Sequence, residues 1–196
     1  IVKGAGALDV VCSDGPRDVL LASFISAAQE LEAAGAIGIV STCGFLVHIQ
    51  DEIAKSVRIP VMVSGLSLFS MLNTSFGGAP IGILTASKQS LEDGTLVAAR
   101  IDANKVVVAG LEDCAAFRDA ILTAKSAQPD TLDSEAIECD VVAKAKTLVA
   151  VNPKIGCFLL ECGNLPPYAN AIHRATKRPV FSVLDAAAMF WAASEI

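Results

Sequence analysis

The chain has 196 residues, of which 53% are hydrophobic and 18% charged, and its formal net charge is −6. This aliphatic content can bury a core, which excludes intrinsic disorder, while the negative charge and scarce aromatic residues disfavour a nucleic-acid-binding protein. The apolar runs are shorter than the roughly 20 residues that a membrane-spanning helix needs, so we expect no membrane partner. The six cysteines form no Cys-x-x-Cys pair, which favours reduced thiols and a cytoplasmic protein.

Short apolar runs alternate with stretches of helical periodicity along the chain. Six runs are typical of buried strands, namely residues 36–42, 59–64, 81–85, 105–109, 155–160 and 179–183. Residues 18–34 and 134–151 have the apolar spacing or flanking residues of helices. Continuous apolar strands separated by helices are typical of parallel sheets that are covered on both faces. We therefore predict an α/β fold.

Two segments of the chain, residues 38–44 and 157–163, resemble each other. Each is an apolar run that ends in Cys-Gly, at Cys43 and Gly44 in the first and at Cys162 and Gly163 in the second. Ligands of α/β proteins usually bind at the carboxyl ends of strands. The repeat predicts two lobes that each contribute one cysteine to a shared site.

The position of the two cysteines favours chemistry at their thiols. Cys43 lies where a predicted strand gives way to a helical stretch that runs to about residue 57, and Cys162 precedes a Pro-Pro pair that suits a first helical turn. Free N–H groups at a helix start lower a thiol pKa and bind carboxylates. Gly44 allows the backbone to approach a ligand closely. The alternative is that both cysteines are packed structural residues.

Four motifs together identify a family. They are Ser-Thr-Cys-Gly-Phe-Leu at 41–46, Gly-Ile-Leu-Thr at 82–85, Leu-Leu-Glu-Cys-Gly-Asn-Leu-Pro-Pro-Tyr-Ala at 159–169 and Arg-Pro-Val-Phe-Ser-Val at 178–183. With these motifs in this order, the chain resembles the aspartate/glutamate racemase superfamily. The resemblance implies two pseudo-symmetric lobes, each a mostly parallel sheet flanked by helices, with the active site in the cleft between them. Lobe 1 would comprise residues 1–78 and 180–196, and lobe 2 residues 79–179.

The resemblance also implies a reaction without metal or cofactor at the carbon next to a carboxylate or carbonyl. In the racemases, one thiolate removes the α-proton and the opposite thiol delivers a proton to the other face, and Cys43 and Cys162 match these two positions. Inverting a stereocentre through a planar carbanion needs one base and one acid on opposite faces. We therefore predict that the two sulfurs face each other across a cleft, on the order of 7–8 Å apart.

Developing negative charge on a carboxylate substrate needs fixed hydrogen-bond donors. The candidate donors lie beside the two cysteines: the backbone N–H groups around Gly44, Phe45, Gly163 and Asn164, and the side chains of Ser41, Thr42, Thr85 and Asn164. For Thr85, a hydroxyl that stabilises a turn is an equally good interpretation. Glu161 directly precedes Cys162. If the strand continues through Glu161, its side chain points to the side opposite that of Cys162. The alternative is that Glu161 orients a group at the site.

The remaining candidate residues are interpreted as structural. His48 and His173 lack the spacing of metal ligands. The other four cysteines are taken as structural residues: Cys12, Cys114, Cys139 and Cys157. The apolar residues near the C-terminus are assigned to packing or to a contact between copies in a homo-oligomer; they are Phe181, Met189, Phe190 and Trp191.

Three functions remain open. The leading hypothesis is a racemase or epimerase that uses two opposed cysteines. The alternatives are a cis-trans isomerase or decarboxylase of a dicarboxylate with one nucleophilic cysteine, and a ligand-binding relative without catalysis. Glutamate racemases typically carry Cys-Asn-Thr and Cys-Thr-His, whereas this chain has Cys-Gly-Phe at 43–45 and Cys-Gly-Asn at 162–164, so glutamate is not implied as the substrate. Arylmalonate decarboxylases, in the same superfamily, carry only one of the cysteines, and the pair here therefore favours a racemase or isomerase.

Overall fold

A computed structural model describes residues 17–91 and 93–194 of the chain. The first half contains α1 (Arg17–Ala33), β1 (Ile39–Val40), α2 (Gln50–Ser56), β2 (Val61–Met62), α3 (Phe69–Ser75) and β3 (Ile81–Thr85). The second half contains α4 (Asp93–Ala98), β4 (Val106–Gly110), α5 (Ala115–Phe117), α6 (Ser134–Val151), β5 (Cys157–Leu160), α7 (Ala169–Thr176), β6 (Val180–Phe181) and α8 (Val183–Ser194). Short 3₁₀ helices occupy Gly44–Ile49, Gly65–Leu68, Ala103–Lys105, Lys125–Ala127 and Pro166–Tyr168, and Arg118–Leu122 is π-helical. Cys12, which the sequence analysis interpreted as structural, lies outside the described residues.

The described strands form two sheets and pair in parallel, and the apolar runs predicted this parallel pairing. In the smaller sheet β1 pairs with β2, and in the larger one the strand order is β4-β3-β5-β6. Every residue of β3 and β5, the two central strands, is buried. This explains why their sequences lack the alternation of polar and apolar residues that marks a half-exposed strand. The prediction of an α/β fold with parallel sheets flanked by helices is confirmed.

Helices cover the larger sheet and bury its apolar side chains. Along one face of α6, Ile137, Val141, Ala145 and Leu148 are buried and belong to one core cluster with Phe158 of β5. The spacing of three or four residues places them on one side of the helix. Asp133 caps the start of this helix, because its carboxylate accepts a hydrogen bond of 3.0 Å from the N–H of Ala136.

The C-terminal segment contacts both sheets. Strand β6 pairs with β5 of the larger sheet, whereas α8 contacts β1 and the 3₁₀ helix at 65–68. On α8, Phe190 packs against Gly38, while Met189 and Trp191 are exposed. The division of the chain near residue 79, its return at residue 180 and a contact between copies through α8 stay predictions. No helix in the described part of the chain is long and apolar enough to span a membrane.

Candidate active site

The loops that follow β1 and β5 meet in the structure. We call residues 41–46 the first cysteine loop and residues 161–165 the second cysteine loop. The N–H of Gly163 donates a hydrogen bond of 3.0 Å to the carbonyl oxygen of Thr42. Each sheet therefore contributes one cysteine from the carboxyl end of a strand, and a backbone hydrogen bond joins the two loops.

The glycine after each cysteine permits this close approach. A Cβ atom at Gly163 would lie 2.7 Å from the Cα atom of Thr42, and one at Gly44 would lie 2.6 Å from the carbonyl oxygen of Glu161. Real Cβ atoms do not approach other heavy atoms so closely. The sequence predicted that Gly44 lets the backbone approach a ligand; in the structure, the neighbour that requires this glycine is the other cysteine loop.

Cys43 is half-buried at the start of the 3₁₀ helix at 44–49, with an extended backbone (φ −117°, ψ 108°). Its N–H donates a hydrogen bond of 3.1 Å to Ser41 Oγ. Burial raises the pKa of its thiol from 9.0 to about 11, and the nearby Glu161 carboxylate adds to the rise. The backbone N–H groups of Phe45 and Leu46 oppose this rise and lower the pKa of the thiol. The thiol is therefore protonated at neutral pH when no substrate is bound.

Cys162 is more deeply buried, with 9% of its surface exposed. Burial is the main reason that the pKa of its thiol rises to about 12, followed by the charge of Glu161. Two groups of Asn164 lower this pKa: the side-chain Nδ2, which lies 3.5 Å from the sulfur, and the backbone N–H. A charge on Cys43 further raises the pKa of Cys162, so the two thiols lie close enough for each charge to affect the other. The predicted distance of 7–8 Å between the sulfurs stays a prediction.

Of the residues at this site, Glu161 is the one whose role was least evident from the sequence. Its side chain is 3% exposed, and its carboxylate accepts a hydrogen bond of 2.8 Å from Thr85 Oγ1. The N–H groups of Ala86 and Gly44 also donate to it. Burial nevertheless raises its pKa from 4.5 to about 7. The signal in the sequence was an acidic residue at the end of a fully apolar run, and it did not show that the carboxylate reaches the first cysteine loop.

Several predicted substrate donors already have partners within the protein. The N–H groups of Gly44 and Gly163 donate to Glu161 and Thr42, and the hydroxyl of Thr85 donates to Glu161. Thr85 was expected either to bind substrate or to stabilise a turn. In the structure it holds a buried carboxylate, and a direct contact of these three residues with substrate stays a prediction.

The other predicted substrate contacts differ in accessibility. Ser41 is partly exposed and Phe45 is buried, whereas the side chains of Thr42 and Asn164 are exposed. The substrate-binding roles of these four residues also stay predictions.

Each histidine ring makes a hydrogen bond within the protein, and the structural interpretation of both residues stays a prediction. His48 Nε2 is 3.0 Å from Thr95 Oγ1, and His173 Nδ1 is 2.8 Å from the carbonyl oxygen of Arg178. In the ranges that the structure describes, no group of three or more His, Cys, Asp or Glu residues is arranged to hold a metal ion.

No model of a protein family matches the chain. Among individual proteins, the chain is 33% identical over 167 residues to dimethylsulfoniopropionate lyase 5 of Emiliania huxleyi. The aligned region covers 81% of this chain and 32% of that protein. It is 28% identical to dimethylsulfoniopropionate lyase of Durusdinium sp. clade D, over 92% of this chain and 60% of the relative. Dimethylsulfoniopropionate lyase 7 of Emiliania huxleyi is 29% identical over 93% of this chain and 55% of its own length. The chain thus spans about a third to three fifths of the length of these relatives.

Solved structures with the same fold include arylmalonate decarboxylase. Its Gly74Cys mutant, in a sulfate-associated form, superposes with a TM-score of 0.54 over 87% of this chain and 72% of the enzyme, at 15% sequence identity. A second crystal structure of arylmalonate decarboxylase gives a TM-score of 0.52 at 16% identity, over 85% of this chain and 70% of the enzyme. These matches confirm the two-lobed α/β fold that the resemblance implied. The relatives and structures named here are called lyases and decarboxylases, and none of them is called a racemase.

Proposed function

We propose that the protein is a lyase that removes a proton next to a carboxylate and expels a leaving group from the adjacent carbon, with dimethylsulfoniopropionate as its substrate. The observation that carries the proposal is the meeting of the two cysteine loops at the carboxyl ends of strands from both sheets. The similarity to dimethylsulfoniopropionate lyases over 81% to 93% of the chain supports the choice of substrate.

The reaction is an elimination that needs one base. A thiolate takes the proton from the carbon next to the carboxylate, and the C–H electron pair forms a carbon–carbon double bond. The bond between the β-carbon and sulfur breaks, and its electrons leave with the sulfonium group as neutral dimethyl sulfide. The products are acrylate, dimethyl sulfide and a proton held by the cysteine. The same proton abstraction begins a racemisation, so the motifs that suggested a racemase suit this reaction as well.

The positive charge of the sulfonium group in this substrate would stabilise a buried thiolate. Burial and Glu161 hold the pKa of Cys43 at about 11 and that of Cys162 at about 12, so a thiolate forms rarely in the empty site. A positive charge within a few ångströms of a buried thiol lowers its pKa. The sulfonium group brings that charge, and substrate binding itself would then favour the thiolate that begins the reaction.

The test is product formation from dimethylsulfoniopropionate. We expect the protein to release dimethyl sulfide, measured by gas chromatography of the headspace, and an equal amount of acrylate, measured by proton NMR. A heat-denatured sample is the control for spontaneous elimination. Release no faster than in that control would overturn the proposed substrate.

A decarboxylase of a substituted malonate is the second candidate, and the fold shared with arylmalonate decarboxylase favours it. It ranks lower because the sequence identity of 15% supports the fold alone. Incubation with malonates and amino acids in D₂O separates the candidates. A decarboxylase releases CO₂, a racemase places deuterium at the α-carbon of recovered substrate, and the proposed lyase gives neither product with these compounds.

A further inference from the structure

The proposed elimination uses thiols and leaves the buried carboxyl group of Glu161 without a role. A carboxylate in the protein interior is costly unless hydrogen-bond donors replace its hydration. Glu161 is only 3% exposed, and three donors from two other segments of the chain surround it. An arrangement this costly at the junction of the two cysteine loops calls for a function.

The three donors connect three parts of the site. Thr85 Oγ1, at 2.8 Å, and the N–H of Ala86 come from the end of β3, and the N–H of Gly44 comes from the residue after Cys43. Glu161 is itself joined to Cys162 by a peptide bond. The carboxylate of Glu161 therefore connects the first cysteine loop to the end of β5, which carries the second cysteine loop.

We propose that Glu161 is a positioning residue that joins the two cysteine loops and places a negative charge beside both thiols. The titratable groups that affect one another here are the two thiols and this carboxyl group, while Thr85 and Ala86, which pack against it from β3, carry no charge. Like charges in a buried site oppose each other's ionisation. Burial is the main reason that both thiols stay protonated in the empty site, and the charge of Glu161 adds to this effect. This role concerns the site itself and holds whichever substrate the protein uses.

The pKa of Glu161, about 7, gives the proposal a signature that depends on pH. At acidic pH the carboxyl group is neutral and has no charge effect on the thiols. Above neutral pH it is ionised and opposes thiolate formation. A residue that only held the loops in place would affect thiol reactivity equally at both pH values.

The experiment is alkylation of Cys43 and Cys162 by iodoacetamide, followed at each residue by peptide mass spectrometry in the wild type and in Glu161→Gln. Glutamine has nearly the same shape without the charge. Its amide oxygen can accept from Gly44, and its amide nitrogen can donate to Thr85 Oγ1, because that hydroxyl has another acceptor in the carbonyl oxygen of Ser87 at 3.4 Å. The matched control is Glu112→Gln, since Glu112 accepts a hydrogen bond of 3.0 Å from the N–H of Lys88 and does not shift the pKa of either thiol.

We expect the alkylation rate of Glu161→Gln to equal that of the wild type near about pH 5.5 and to exceed it about tenfold near about pH 8.5, at both cysteines. Glu112→Gln should match the wild type at both pH values. A rate ratio that does not change with pH would overturn the proposal, and a change at one cysteine alone would overturn the shared role. These rates are measured without substrate, so they are independent of the proposed lyase activity.

A second variant covers the case in which Glu161→Gln does not fold. Thr85→Val keeps the side-chain shape and removes the hydroxyl that stabilises the ionised carboxylate, so the pKa of Glu161 rises. Near about pH 7.5 the variant then carries less charge at Glu161, and we expect both cysteines to react several-fold faster than in the wild type. An unchanged rate in folded Thr85→Val would count against the proposal.

Discussion

The two cysteine loops have the same sequence pattern but different surroundings. Cys43 is half-buried, and backbone N–H groups of the following 3₁₀ helix face its sulfur. Cys162 is 9% exposed, follows a central strand of the larger sheet, and has the side chain of Asn164 beside its sulfur. The difference shows that a repeated motif at matched strand ends does not make two equivalent thiols. It predicts unequal parts for the two cysteines in any reaction at this site.

The largest expected effect comes from replacing each cysteine by serine, because a hydroxyl is a far weaker base than a thiolate. Elimination needs one base, so we expect one of Cys43→Ser and Cys162→Ser to lose activity by about 10²-fold or more and the other to lose less. The measurement is the initial rate of dimethyl sulfide release by folded variants. Equal losses in both variants would mean that the two thiols act as a pair, as in a two-base racemase.

The buried carboxyl group of Glu161 makes the stability of the folded protein depend on pH. Its pKa is about 7 in the folded protein against 4.5 for the free group, so the folded state binds the proton more tightly than the unfolded state. The stabilisation is present at low pH and is lost as pH rises from about 4.5 to about 7, by about 3 kcal/mol in total.

This loss should be absent in Glu161→Gln, which has no group to titrate. The measurement is the free energy of unfolding in urea, for the wild type and the variant, at several pH values across that window. A difference between the two proteins that stays constant with pH would show that the carboxyl group is not perturbed in the folded state.

The contact between the loops predicts that alanine is not tolerated after either cysteine. A Cβ atom at Gly44 or Gly163 would overlap the backbone of the other loop, and overpacking of this kind costs about 1–3 kcal/mol. Gly94 of α4 is the matched control, since a Cβ atom there meets no atom within 4 Å. Alanine at that helical position is expected to stabilise the protein by about 0.5–1 kcal/mol. Chemical denaturation of the three variants measures the difference, and similar free energies for all three would contradict the contact.

The fold could be predicted from sequence because burial leaves a strong local signal. The runs at 81–85 and 155–160 are apolar without interruption because β3 and β5 are covered on both faces. Helix α6 spans residues 134–151 as predicted, since Asp133 and Asn152 end the apolar periodicity on both sides. For β1, the apolar pattern covered residues 36–42 while the paired strand is two residues long, because apolar character continues beyond the hydrogen-bonded pair.

The site was predictable only in its cysteines. Cys43 and Cys162 stand at strand ends in a repeated motif, and that much is visible along the chain. The partners of Glu161 are separated from it by 76 residues at Thr85 and by a still longer stretch at Gly44. Such contacts depend on how the two sheets meet, which periodicity and composition do not specify. For the same reason the sequence did not show that Gly44 and Gly163 contact the opposite loop.

The smallest expected effect is a difference in reactivity between the two thiols of the wild-type protein. Cys43 is half-buried and Cys162 is 9% exposed, and burial raises the pKa of the second thiol further. Because iodoacetamide must reach the sulfur and reacts with the thiolate, we expect Cys43 to be alkylated several-fold faster at about pH 8. Cys139 is exposed on α6 and serves as the internal reference for an accessible thiol. If Cys162 reacts first, the accessibility of the two thiols is the reverse of that in the structure.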